Sequence, residues 1–78
     1  LANLLLQTGR FAEAADEFSA ILQAQPGHAQ AHFGRGLALA NLKKNPEAAT
    51  HFREALRLRP GFAEAQRQLD LLGTFGQN

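Results

Sequence analysis

Cysteine, methionine, tryptophan and tyrosine are all missing from this 78-residue sequence. Without cysteine there is no disulfide framework and no thiolate zinc site, which leaves hydrophobic packing as the evident source of stability and the redox compartment open. An excess of charge of one sign is missing too. Eight Lys and Arg against seven Asp and Glu leave a formal charge of +1, far from the concentrated positive field that nonspecific phosphate binding needs, so nucleic acid is not an expected partner. No apolar run approaches the roughly 20 residues that span a bilayer, and Leu1-Ala2-Asn3 places no basic region ahead of an apolar segment, so membrane insertion is not expected. The start at Leu rather than Met suggests a piece of a longer protein. A chain this short buries a smaller fraction of its surface than a full-size domain, and its stability is expected to be modest.

What is present is an internal repeat. Set against itself at an offset of 34 residues, the chain pairs Glu13-Ala14-Ala15 with Glu47-Ala48-Ala49, Phe18 with Phe52, Leu22 with Leu56 and Pro26-Gly27 with Pro60-Gly61. Eleven of the 44 paired positions are identical, where this composition would give about five by chance, and the matches keep one register around a helix and its exit. A period of that length describes a helix-turn-helix unit that cannot bury its apolar face alone and must stack on neighbours.

Within the first copy, Phe11, Ala14, Ala15, Phe18, Ile21 and Leu22 recur at spacings of three and four along one helix face, while Glu13, Asp16, Glu17 and Gln23 occupy the other. The helix is expected over about 11 to 24, stopped by Pro26 and turned by Gly27. The second copy opens on Asn45-Pro46-Glu47, read as an N-cap residue, a proline whose missing N–H costs nothing there, and an acid near the positive helix end. Between the copies, Ala29 to about Leu42 predicts a helix with two interior glycines, Gly34 and Gly36. Each costs up to about 1 kcal/mol relative to alanine, and close helix-helix approach is the expected compensation. Leu1 to Thr8 reads as the end of an equivalent helix stopped at Gly9. Phe62, Ala65, Leu69 and Leu72 trace a fifth, stopped near Gly73. The fold class expected is therefore all-α, with about five helices in antiparallel hairpins.

Candidate chemistry is thin. His28 and His32 are four apart and, with His51, could be imagined as zinc ligands. His28 follows the Pro26-Gly27 turn, however, and no carboxylate sits beside the pair at ligand spacing, so neither a metal nor any other cofactor is expected. Ser19 is the only serine, with no cue to a base or an oxyanion hole, so no hydrolase is expected. Glu13, Asp16, Glu17, Glu47 and Glu54 read as solvated faces. Lys43-Lys44 and Arg53, Arg57 and Arg59 read as solubilising residues that also complement negative helix ends.

Gly9, Phe11, Ala14, Phe18, Leu22 and Pro26, then Gly36, Ala48, Phe52, Ala55, Leu56 and Pro60, resemble the tetratricopeptide repeat pattern over essentially the whole chain. The resemblance implies a short right-handed α-solenoid. Residues 1–28 would form a partial first repeat, 29–62 a complete second, 63–73 a terminal capping helix whose Gln66, Arg67, Gln68 and Asp70 suit a wet outer side, and 74–78 a tail. Lys43 and Asn45 depart from the first copy's Gly9 and Phe11. Arg35 stands where the family usually has an aliphatic residue and His32 where it prefers a large aromatic.

The resemblance further implies a non-catalytic module that binds a peptide or protein subunit along the concave face formed by the first helix of each unit. Asn3, Leu6 and Gln7, then Gln30, Phe33, Gly34, Leu37 and Asn41, then Arg67 and Leu71 would line it. Phe33 is the expected anchor, and Asn3, Gln7 and Asn41 would bond a peptide backbone. The carboxylate-clamp subtype is not expected, because Gly34 and Glu64 stand where that clamp uses polar or cationic groups. Self-association into a homo-oligomer by stacking of exposed repeat ends is the alternative.

Overall fold

The computed structural model describes residue 6 and residues 8–76. Four helices fill the described chain: α1 (Phe11–Ala24), α2 (Ala29–Asn41), α3 (Asn45–Leu58) and α4 (Ala63–Gly76). They pack in sequence, α2 on α1, α3 on α2 and α4 on α3, as stacked antiparallel hairpins should. Most of the helix expected over Leu1 to Thr8 lies outside the described residues. Leu6 is helical, half-buried, and rests on the core formed by Ala14, Ala15, Phe18, Ala31 and Ala38.

The repeat is reproduced atom by atom in its turns. The His28 N–H donates to the Gln25 carbonyl at 3.1 Å, and 34 residues on the Phe62 N–H donates to the Arg59 carbonyl at 3.0 Å. His28 caps α2, its Nδ1 accepting from the Ala31 N–H at 3.2 Å, and so serves the helix start.

The two interior glycines of α2 explain how it fits between its neighbours. Positions two apart on a helix point about 200° apart, so Gly34 and Gly36 open opposite sides. A Cβ at Gly34 would collide with the ring of Phe18 from α1, and one at Gly36 would lie 2.6 Å from Cε1 of Phe52 from α3. Phe18 and Phe52, themselves repeat mates, are the knobs, and the glycines are the holes. Phe52 is fully buried among Ala48, Ala55, Leu39 and Ala65.

Two boundaries differ from the sequence reading. Lys44 is the N-cap residue of α3 and Asn45 its first helical residue, followed by Pro46 in the first turn. Helix α4 runs on past Gly73 to Gly76. Gly73 does not take the positive φ that would end the helix, and its surroundings are open.

A third departure proves to be conservation of shape. Gly9 has φ of 79° and Lys43, its repeat mate, φ of 68°. The Lys44 N–H donates to the Leu39 carbonyl at 2.9 Å and the Lys43 N–H to Ala40 at 3.1 Å, which is the hydrogen-bond pattern of a Schellman helix end with Lys43 at its left-handed position. Side-chain-bearing residues resist that conformation by roughly 1–2 kcal/mol, while glycine loses more entropy on folding. Lys43→Gly is therefore expected to stabilise the chain by up to about 1 kcal/mol, read as a higher urea midpoint; a lower midpoint would show that the lysine side chain contributes packing that this backbone argument ignores.

Candidate functional site

Among the described residues, three depressions stand out on the surface. The largest, about 390 Å³, lies where the C-terminal end of α2, the α2–α3 turn and the middle of α4 meet. It is lined by Ala40, Asn41, Lys43, Asn45, Gln68, Leu71 and Leu72. A second, about 360 Å³, lies between α1, α2 and α3 over Ser19, Leu22, Gln23, Pro26, His32, Arg35 and His51. A third, about 270 Å³, runs between α3 and α4 beside Ala49, Arg53, Leu69 and Leu72.

The residues expected to line a binding face distribute unevenly over this surface. Asn3 and Gln7 lie outside the described residues. Leu6 is turned into the first core cluster, and Leu37 packs against the second. Phe33, expected as the anchor, is a core residue: it is 7% exposed, with ring centroids 4.9 Å from Phe62 and 5.7 Å from Phe52. The α3–α4 turn carries Phe62 over it, and Arg59 then closes the edge, its guanidinium 5.0 Å above the Phe62 ring. Gly34 is buried under Phe18. Gln30 and Arg67 are exposed but border none of the three depressions.

Asn41, from α2, and Leu71, from α4, both line the largest of these depressions. Asn41 donates its amide N–H to the Leu37 carbonyl of its own helix at 2.8 Å, and its amide oxygen is a hydrogen-bond acceptor. Leu71 is 47% exposed, the most exposed of the large hydrophobic residues among the described ones. Lys43, Asn45 and Gln68 complete a rim of one cation and two amides around an apolar floor of Ala40 and Leu72. Sequence reasoning missed these lining residues; for Lys43 and Asn45 the signal was their place in the turn that faces the next unit's first helix.

The second depression holds a polar cluster built from His51 and from His32 and Arg35, the two residues of α2 that depart from the repeat pattern. Nδ1 of His32 and Nδ1 of His51 are 3.1 Å apart, with ring centroids at 5.4 Å and planes 29° from parallel. His32 Nε2 is 3.0 Å from the Pro26 carbonyl oxygen. Arg35 donates through Nε to His51 Nε2 at 3.2 Å and through Nη1 to the Ala15 carbonyl at 3.0 Å. Burial, then the Arg35 cation, then His32 lower the His51 pKa below 6.5, against the weaker opposite pull of Glu47 and Glu54. The cluster does not fit a metal: a guanidinium already occupies His51 Nε2, and among the described residues no group of three or more His, Cys, Asp or Glu side chains converges as a metal site requires. The polar joint takes the place that a large aromatic and an aliphatic residue would fill between the helices of this hairpin.

No helix among the described residues is long and apolar enough to cross a membrane. No curated protein matches the chain. The family model described as tetratricopeptide repeat matches residues 1–63, the span that holds α1, α2 and α3 and the glycine-and-phenylalanine interlock between them. Members of that family are in general protein-interaction modules without catalytic activity. Stacked hairpins of 34-residue period, paired turns and that match agree: the chain belongs to the tetratricopeptide repeat family.

Proposed function

We propose that this chain is a non-catalytic interaction module that takes an extended peptide segment of a protein partner across the junction of α2 and α4. The observation that carries the reading is the depression in which Asn41, Asn45 and Gln68 surround the exposed Leu71. Amide side chains offer both donors and acceptors to a peptide backbone, and an exposed leucine over an apolar floor takes one apolar partner side chain. Lys43 on the rim favours an acidic group beside that side chain.

Helix α4 is suited to close the stack on its own side. Its residues at the repeat positions of Gly34 and Gly36 are Gln68 and Asp70. By that correspondence Gln68 stands on the side toward α3, and Asp70, on the outer side, leaves no hole like the one at Gly36 that admits Phe52, so a following hairpin would not interlock with α4 as α3 interlocks with α2. This supports a cap with a polar outer face, including the Gln66 Nε2 to Asp70 Oδ1 hydrogen bond at 3.0 Å.

Self-association is the competing reading, favoured by the third depression, where Leu69 and Leu72 leave an apolar edge beside Ala49. A selection from a random peptide library against the chain, followed by light scattering with and without the selected peptide, separates the two. The peptide reading expects a concentration-independent monomer and a one-to-one complex whose affinity falls at least about tenfold in Leu71→Asp, a loss of roughly 1.4 kcal/mol. A dimer that dissociates in Leu72→Asp and binds no selected peptide would replace it.

A further inference from the structure

Hydrogen positions in the His32, His51 and Arg35 cluster follow from its heavy atoms. The Arg35 guanidinium can only donate, so His51 Nε2 must accept, and the proton of a neutral His51 sits on Nδ1. That proton then points at His32 Nδ1, which must accept, leaving the His32 proton on Nε2, where it meets the Pro26 carbonyl oxygen. Every contact is satisfied when both imidazoles are neutral, and only then. A second proton on His51 would lie on Nε2 against the Arg35 donor. A second proton on His32 would lie on Nδ1 against the His51 donor.

We propose that His32, His51 and Arg35 form a proton-sensitive clasp, which holds α1, α2 and α3 in their stacked arrangement while both imidazoles are neutral and releases them when either is protonated. The reach of the cluster makes this more than a local contact. Through Arg35 it ties α2 to the Ala15 carbonyl of α1, through His32 to the Pro26 carbonyl of the α1–α2 turn, and through His51 to α3. The charged surroundings do little to shelter an imidazolium. Helix α2 presents the Arg35 cation and the second imidazole; α3 itself supplies Glu47 and Glu54, whose pull is outweighed. The α1 wall of the depression contributes Ser19, Leu22 and Gln23, none of them charged, and α4 lines none of it.

The sign follows from linkage. A histidine whose pKa is lower in the folded than in the unfolded chain leaves the unfolded state binding more protons at mildly acid pH. Stability is then complete above about pH 6.5, the unfolded-state value, and is lost as pH falls through and below it. Per proton taken up, the folded-to-unfolded ratio drops by up to about tenfold per pH unit. His28 also accepts a hydrogen bond through Nδ1, from the Ala31 N–H at the start of α2, and serves as the control.

The test is urea unfolding at pH 7.5, 6.5 and 5.5, above the range in which carboxylates titrate. The chain, a His28→Asn variant that keeps a cap without an imidazole, and a His32→Phe/His51→Leu double variant are compared. The expected result is a fall in the folded-to-unfolded ratio below pH 6.5 in the chain and in His28→Asn, and none in the double variant. A flat profile in the chain, loss of the fall in His28→Asn, or its survival in the double variant would overturn the proposal. If the double variant does not fold, imidazole nitrogen NMR on the unaltered chain decides: a His51 midpoint below 6.5 with the neutral-state proton on Nδ1 supports the clasp, and a midpoint at or above 6.5 refutes it.

Discussion

Phe52→Ala is expected to lower the thermal midpoint by about 15–30 °C, at a cost of about 3–5 kcal/mol. The ring is fully buried and is the largest side chain so enclosed. It fills the hole above Gly36 and meets Phe33, whose other neighbour is Phe62. Its removal therefore opens a cavity bordered by three helices that cannot collapse independently, since α2 is held on its other side by Phe18. A chain of this size has a total stability of about 4–12 kcal/mol, so the loss is a large part of the whole. Circular dichroism during heating measures it; a shift under about 5 °C would mean that the core repacks around the gap and that the knob is dispensable.

Glycine-to-alanine substitution is expected to have opposite signs at two helical positions. At Gly73 in α4 nothing lies within 4 Å of the new methyl group, and the gain in helix propensity should stabilise by about 0.5–1 kcal/mol. At Gly34 the same gain is overwhelmed, because the methyl group collides with three ring atoms of Phe18, a residue only 4% exposed and without room to withdraw. The expected net cost is about 1–2 kcal/mol, the overpacking penalty less the propensity gain. Shortening the knob should relieve it: in a cycle with Phe18→Leu, the double variant should be at least about 1 kcal/mol more stable than the two single effects predict by addition. Additive effects would show that the collision is relieved by backbone movement and that the interlock does not set the distance between α1 and α2.

The close approach of neighbouring helices at Gly34 and Gly36 was legible in the sequence because it is written in local terms. Two glycines inside a helix demand a reason, and close helix-helix approach was the expected one; that Phe18 and Phe52 are the side chains that fill the space came from the packing. The bounds of α1 were legible for the same cause, an apolar stripe running from Phe11 and stopped by Pro26. Lys43 misled because a left-handed helix end is a property of backbone geometry, which a lysine can be forced to adopt when the hydrogen bonds of Lys43 and Lys44 require it. Gly73 misled in the opposite direction, being a glycine in an ordinary helical conformation.

Of the candidate site, Asn41 and Leu71 were expected on one face because the family resemblance places the first helices of successive units along it, and both line the same depression. Phe33 occupies such a place as well. What removes it from the surface is Phe62, brought in by a turn whose path is set by tertiary packing and not by the periodicity of α2. The polar clasp escaped for a related reason. His32 and Arg35 stood out as departures from the repeat, yet the partner that makes them a unit, His51, lies on another helix, and nothing in the spacing of α2 points to it.

Amide chemical-shift mapping of the chain with a library-selected peptide tests the proposed partner surface at the junction of α2 and α4 most directly. The predicted result is a contiguous set of shifted amides around Asn41, Lys43, Asn45, Gln68 and Leu71, with α1 little affected. Shifts confined to the outer faces of α1 and α3, with that set unmoved, would contradict it.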